Sequence, residues 1–483
     1  MKINDPQSYL DSLRTLERKV YVLGERCGNT VDHPLVRPSA NAVAETYEVG
    51  AEPEAASLLF TTSHLSGREI SRFTHIHQST DDLVDKILMQ RLLGRRTATC
   101  FQRCVGMDGF NALYSVTHEC DEAHGTPYHT RLKDYLEWVQ DTNVVVEGAM
   151  TDVKGDRSLR PGDQPDPDMF LHVVDRTPEG IVVRGAKAHQ TGALNSHEIL
   201  VMPTTAMREG EEEFAVSFAV PADTRGITFV LGRQPSDTRK MEGGPLDVGN
   251  PGYGSQEALV IFDDVFVPSE RVFMCGETDQ SGKVVERFAS FHRQSYGGCK
   301  VGVGDVLVGA AQLAADYQGA SKASHVRDKI TEMIHLNETL FCCGIACSAQ
   351  GRATGAGNYE VEPLLANICK LNVTRFPFEI ARLLQDIAGG LIVTMPSEKD
   401  FDNPETAALL EKYLKGVGSV PTLDRIKVLK FIENMTVGCG AAAYLTESIH
   451  GAGSPQAQRI MISRLANLDE KVELAKRISH IED

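Results

Sequence analysis

"LHVVDRTPEGIVVRGAKAH", residues 171–189, decides how this chain is to be divided. β-Branched residues cluster on both sides of a Pro-Glu-Gly turn, the pattern of short strands joined by a tight connection. "FAVSFAVPA" (214–222) and "EALVIFDDVFVP" (257–268) continue it. The intervening "KGDRSLRPGDQPDPD" (154–168) and "MEGGPLDVGNPGYGS" (241–255) are rich in Gly, Pro and Asp, as surface connections of a β-domain are. On either side the period changes. "YLDSLRTLERKVYVLGE" (9–25) and "DDLVDKILMQRLLGR" (81–95) carry apolar residues at the three- and four-residue spacing of helices. Helical patterning resumes in "GDVLVGAAQLAADYQGA" (304–320), "EPLLANICKLNVTRFPFEIARLLQDIAGG" (362–390) and "LDRIKVLKFIENMTVG" (423–438). The expected fold class is α+β, with a helical domain over 1–142, a β-domain over 143–277 and a helical domain over 278–483.

Bulk properties narrow the function. A chain of 483 residues is too long for one simple core. The net charge of −17 argues against a nucleic-acid or anionic-membrane partner, since either needs an extended basic face. "MKINDPQSYL" has no apolar segment of the signal-peptide kind, and residues 301–316 are too short and Gly-rich for a membrane span. A cytoplasmic protein is expected. The 11 cysteines are an odd number at low density, so free thiols or metal ligands are expected rather than a disulfide framework.

Two cysteine pairs have helical spacing. Cys100 and Cys104 in "TATCFQRCVG" lie four apart, on one face of a helix and about 6 Å apart at Cβ. Cys343 and Cys347 in "FCCGIACSAQG" share the spacing in small, apolar surroundings that suit a packed helix. Two thiolates complete neither a tetrahedral site nor a four-iron cluster, and spacing alone does not rank the pairs. "FHRQSYGGCK" (291–300) gathers His292, Tyr296, Cys299 and Lys300. By itself it reads as a helix end, with Tyr296 inward and Gly297-Gly298 as the break. "GCGAAA" (438–443) and "GVGVG" near 302 contain Gly-x-Gly, but neither follows a strand within a βαβ unit, so the dinucleotide fingerprint is absent. "MTDVKGDRS" (150–158) offers a polar turn, with Lys154, Asp156 and Arg157, that could meet a phosphate or a ring edge.

"TDVKGDRS", "GAKAHQTGALNSHE", "RFPFEIARLLQDIAGG" and "HGAGSPQAQR" together resemble the flavoprotein group of the 4-hydroxyphenylacetate 3-monooxygenase large component. The resemblance covers essentially the whole chain and implies an acyl-CoA dehydrogenase-like fold. "CFQRC" with "HRQSYGGCK" resembles one branch, the 4-hydroxybutyryl-CoA dehydratases with vinylacetyl-CoA Δ-isomerase activity. That branch implies FAD, a [4Fe-4S] cluster on Cys100, Cys104, His292 and Cys299, and a homotetramer. It therefore selects Cys100/Cys104 over Cys343/Cys347, and leaves Cys342 and Cys369 structural.

The chemistry of such a reaction needs these groups. Water must leave across C4 and C3 of 4-hydroxybutyryl-CoA, yet no carbonyl adjacent to C3 acidifies its hydrogen. Acid–base catalysis alone supplies only a few powers of ten. Loss of a C2 proton and one electron gives an enoxy radical whose C3 hydrogen is acidic, and return of the electron makes the cycle redox-neutral. Histidine is more labile than thiolate, so the iron it holds is expected to open as a Lewis acid. The resemblance carries over Thr191 as a donor near flavin and thioester, and Tyr296 as acid toward the leaving hydroxyl. Lys300, Glu257 and Glu447 handle or orient protons, and His292 is expected to be both ligand and C2 base. Flavin contacts are expected from Thr151, Lys154, Asp156, Arg157, Ser158, His189, Gln190 and Thr191, with Asp386, Gly389 and Gly390. Arg91, Arg95 and Arg96 are one guess for a CoA phosphate patch. Competing classes are a flavin-dependent aromatic monooxygenase, which needs no cysteines at these positions, an ordinary acyl-CoA dehydrogenase, and a non-catalytic metal sensor.

Overall fold

A computed structural model describes residues 2–233, 241–246 and 252–481; of the predicted loop at 241–255, residues 247–251 lie outside the described residues. Labels below number, in chain order, the elements that position the site. Helix α1 spans Pro6–Arg14, α2 Thr80–Thr97, α3 Cys104–His124, α4 Thr278–Tyr317, α5 Ser324–Ala349, α6 Pro363–Val373, α7 Phe376–Ala388 and α8 Thr422–Thr436. Strands are β1 (Lys19–Val22), β2 (Glu25–Cys27), β3 (Val146–Ala149), β4 (His172–Thr177), β5 (Gly180–Thr191), β6 (Glu198–Val201), β7 (Val216–Pro221), β8 (Ile227–Leu231), β9 (Glu257–Pro268) and β10 (Val272–Cys275).

The Pro-Glu-Gly hairpin forms as its sequence predicts, β4 pairing antiparallel with β5 through Thr177 and Gly180. It is one edge of a six-stranded sheet ordered β2-β1-β8-β9-β5-β4. A second sheet is ordered β10-β7-β6-β3. The two pack face to face: Val183, Val260 and Phe262 of the first share a core with Ile199, Val201 and Phe218 of the second. The opposite face of the four-stranded sheet, with Leu200, Met202 and Ala219, is covered by Phe110 and Leu113 of α3 and Phe291 of α4. Being covered on both faces explains why all four residues of β6, "EILV", are buried, without the alternation of a half-exposed strand.

The first expectation to fail is the continuous helix over 9–25. Helix α1 ends at Arg14, and Val20 and Val22 instead point into the sheet core as β1, parallel to β8 with Lys19 opposite Thr228. A tertiary partner some 200 residues away overrode the local period.

Helix α4 is the axis of the molecule. Its 40 residues are long and apolar enough to cross a membrane by composition, but 61% of its apolar window is buried, and α2, α3, α5 and α6 pack around it. The glycine-rich sequence does not end this helix. A methyl at Gly297 would stand 2.6 Å from the Gly344 Cα of α5, and one at Gly298 would stand 2.7 Å from the Ile87 carbonyl of α2. Gly-Gly is therefore where two neighbouring backbones press on α4, and the helix runs through it.

Candidate active site

The cysteine loop is set by two left-handed residues. Helix α2 closes at Ala98 (φ 49°), Gln102 has φ 62°, and α3 begins at Cys104. Cys100 thus lies in the connection and not one turn before Cys104 on a helix, which corrects the spacing argument. The buried Gln102 amide fixes the loop by donating to Ser39 O at 3.3 Å and Gly254 O at 3.1 Å, while its carbonyl accepts from Asn195 Nδ2 at 2.9 Å. Gly192, at φ 86°, packs against Gln102 so closely that a methyl there would be 2.9 Å from the Gln102 Cβ. The "HQTGALN" segment and the cysteine loop are therefore one neighbourhood.

Helix α4 supplies the facing wall. His292 and Cys299 are seven residues apart, two turns on one face, with Tyr296 between them. Ligand atoms of Cys104, Asp108 and His292 lie within 4.8 Å of one another. Cys299 lies near enough to Cys100 and Cys104 to contribute to raising the pKa of both. Burial, the largest cause, pushes the Cys100 and Cys104 thiols well above their usual range and Cys299 to about 11. They are protonated at neutral pH, and a metal would have to displace those protons. His292 Nδ1 is engaged with Asp108 Oδ2 at 2.8 Å, which leaves Nε2 to face a ligand. Three thiols and one free imidazole nitrogen are a suitable donor set for an iron–sulfur cluster.

The rival pair is packed differently. Cys347 is buried on α5 and donates to the Gly344 carbonyl at 3.2 Å, and Cys343 accepts from Asn372 at 3.8 Å. Among the described residues the potential metal group is the one at α3 and α4.

Beyond Tyr296, three acid–base groups meet. Lys300 Nζ is 2.6 Å from Glu447 Oε2 and also donates to the Ala443 carbonyl. Ala443 sits in a π-helical turn, Ala442–Thr446, immediately before Glu447. Such turns widen the helix by one residue and recur at functional sites. Across from it, Thr191 Oγ1 donates to Glu257, 2.8 and 2.7 Å from its two oxygens. Burial, then the nearby Glu447, raises the Glu257 carboxyl well above its ordinary range, which favours its protonated form. The Tyr296 phenol is also pushed well up, by burial first and Glu447 next. Its hydroxyl is pressed against Gly451, and the Lys300 and Lys370 ammoniums lie 5.3 and 4.8 Å from its ring centre.

Of the expected flavin contacts, 151–191 form one surface. Thr151 O accepts from Ala188 N at 2.8 Å, Asp156 caps its own turn through Ser158 at 2.7 Å, and Gln190 is buried. Lys154 (φ 72°) and His189 (φ 59°) are left-handed and close in space; burial, then Lys154 and His450, lowers the His189 pKa. Arg157 is exposed beside them. Asp386, Gly389 and Gly390 are elsewhere, at the end of α7, with Asp386 paired to Lys329 at 2.7 Å. Among the described residues, one chain does not bring them to the 151–191 surface. Nor is there a free basic patch on α2: Arg91 binds Asp305 and Glu338, Arg95 binds Asp305, and Arg96 binds Glu52.

Three buried groups escaped sequence reading. Asp108 holds His292, and its own charge is met by Lys86 Nζ at 2.5 Å, both side chains fully buried. Burial would raise the Asp108 carboxyl, but Lys86 and His292 outweigh it and the net direction is down. Glu147 of β3 is buried with neither oxygen hydrogen-bonded among the described residues, and burial raises it well above the usual range. No motif marks any of them, because each is defined by what another element brings.

The chain matches the 4-hydroxyphenylacetate 3-hydroxylase N-terminal family over residues 5–274 and its C-terminal family over 281–480. It is 57% identical over 484 residues to the 4-hydroxybutyryl-CoA dehydratase/vinylacetyl-CoA-Delta-isomerase of Clostridium aminobutyricum, covering 98% of this chain and 99% of that one. The solved oxygen-tolerant archaeal 4-hydroxybutyryl-CoA dehydratase from N. maritimus superposes with a TM-score of 0.97 at 52% identity, over 100% of this chain and 96% of that one. The FAD complex of the 4-hydroxyphenylacetate 3-monooxygenase oxygenase component superposes at 0.85 and 23% identity, over 99% of each chain. That last likeness is one of fold.

Proposed function

The chain belongs to the 4-hydroxyphenylacetate 3-hydroxylase family, and within it we propose a 4-hydroxybutyryl-CoA dehydratase that also isomerises vinylacetyl-CoA. One observation carries the reading: Cys100, Cys104, Cys299 and His292 converge beside Tyr296, with Lys300, Glu447 and Glu257 close behind. An aromatic monooxygenase of this fold has no use for that donor set. The four residues would hold a [4Fe-4S] cluster, and the 151–191 surface would hold FAD through the Lys154 and Arg157 cations and the Thr191 hydroxyl. When bound, the flavin supplies one-electron exchange with the thioester and the cluster supplies a Lewis-acidic iron. We read the fold as acyl-CoA dehydrogenase-like and the working assembly as a homotetramer.

The chain's own residues supply the protons. Tyr296, protonated across the physiological range, is the donor for the departing hydroxyl. Lys300 pairs with Glu447 and keeps that carboxylate facing Tyr296. Glu257, favoured in its protonated form, orients the Thr191 hydroxyl, which accordingly points its proton at the carboxyl and its lone pairs into the site. Because Asp108 occupies Nδ1, both duties proposed for His292, ligand and C2 base, fall on Nε2.

Anaerobic purification followed by metal, sulfide and flavin analysis tests this. About four iron and one FAD per chain are expected, with 4-hydroxybutyryl-CoA giving crotonyl-CoA without an added electron acceptor. Oxygen-dependent hydroxylation, or turnover only with an acceptor, would replace this reading with one of its rivals.

A further inference from the structure

Asp108 follows Cys104 by one turn of α3, so the two side chains share a face. Its carboxylate lies within 4.8 Å of the Cys104 and His292 ligand atoms and could be mistaken for a third ligand. Its hydrogen bonds say otherwise. Oδ1 accepts from Lys86 Nζ at 2.5 Å, and Oδ2 accepts from His292 Nδ1 at 2.8 Å and Ser295 Oγ at 3.0 Å. Lys86 is itself fully buried and donates onward to the Phe291 carbonyl at 3.0 Å and Gln294 Oε1 at 2.9 Å. Pulling Asp108 onto a metal would strip a fully buried ammonium of its counter-charge, which disfavours that arrangement.

A carboxylate paired with an ammonium can only accept at Oδ2, so the proton between it and His292 belongs to Nδ1. The imidazole plane is fixed as well, stacked on Phe288 at 5.5 Å and 15°. We propose that Asp108, held by Lys86, is the positioning residue that sets the tautomer and orientation of His292, leaving Nε2 as the nitrogen free to bind. This rests on the reading of His292 as a cluster ligand. Carboxylates that orient a ligating histidine typically change metal retention by 10–100-fold when removed.

Because Asp108→Asn alone would leave Lys86 unpaired, the test uses the neutral pair Lys86→Met/Asp108→Asn. Anaerobic wild type and variant, labelled with 15N at histidine Nε2, are compared by the nitrogen hyperfine coupling of the reduced cluster and by the rate of iron loss to a chelator. The expected variant folds with normal circular dichroism and retains flavin. It loses iron roughly 10–100-fold faster, with an altered histidine coupling. A folded variant with unchanged retention and coupling overturns the role of Asp108 while leaving the cluster intact. Should the pair not fold, Asp108→Glu, which keeps a carboxylate for Lys86 but shifts its position, is read by the same two measurements, and unchanged values there overturn the role as well. A wild type lacking any histidine-coupled cluster overturns the functional reading itself.

Discussion

Lys300 on α4 and Glu447 beyond the π-helical turn meet at 2.6 Å, with 4% and 16% of their side chains exposed. A pair withdrawn this far depends on both partners. Glu447→Gln should leave a buried ammonium and cost about 3–5 kcal/mol, read as a lowered urea midpoint. Lys300→Met/Glu447→Gln should recover most of that stability while turnover stays lost. A double variant as unstable as the single one would show that the pair does not hold this end of the molecule together.

The cysteine assignment separates the pair at the α2–α3 connection from the helical pair on α5. Cys100→Ser and Cys299→Ala should lose or cripple iron binding while circular dichroism stays normal, because the loop is fixed by Gln102 and α4 by its own packing. Cys343→Ser should retain full iron content. Iron loss in that variant would return the site to α5.

The close crossing of α4 and α5 gives a matched comparison. Gly297→Ala forces a methyl 2.6 Å from the Gly344 Cα and should destabilise by about 1–3 kcal/mol. Gly309→Ala, on the same helix with nothing within 4 Å, should stabilise by about 0.5–1 kcal/mol. Thermal midpoints that moved together would remove the packing explanation for the glycine pair.

What the sequence revealed depended on whether the cause was local. The hairpin at Thr177–Gly180 could be read because strand alternation and turn chemistry are carried by the same dozen residues. Val20 and Val22 could not, since the helical spacing around them hides a strand that pairs with β2 on one side and with the distant β8 on the other. Spacing put Cys100 and Cys104 on a helix, but Ala98 and Gln102 take left-handed conformations that no motif records. The convergence at the site followed from the resemblance, not the spacing. Asp108 and Lys86 were invisible because a buried ion pair is a property of two helices meeting.

His197 provides a pH prediction away from the site. Its Nδ1 accepts from Val145 N at 3.1 Å, so Nε2 carries the proton and donates to Ser12 Oγ at 2.8 Å. Burial, then Arg18 and Arg103, lowers its pKa to about 3, against about 6.5 when unfolded. Between those values the unfolded chain binds the extra proton and the folded one does not. Stability is therefore complete above about pH 6.5 and falls as pH drops toward 3. His197→Asn, whose side-chain carbonyl can still accept from Val145, should be somewhat less stable at pH 7 but show a flatter loss over that window. Parallel denaturation profiles for the two proteins would exclude His197 as the source.

Tyr296 and Gly451 make the sharpest test of the proposed acid. Tyr296→Phe should retain flavin and iron but slow dehydration by roughly 10²-fold or more. Gly451 has φ −59°, so alanine costs nothing in the backbone, yet its methyl would land on the Tyr296 hydroxyl. Gly451→Ala should therefore displace the phenol and reproduce the rate loss with cofactors in place. Since phenylalanine has no hydroxyl to displace, adding Gly451→Ala to Tyr296→Phe should slow the reaction little further. Full additivity of the two changes would mean that Gly451 acts on some other group, and normal turnover by Tyr296→Phe would leave that ring with packing alone.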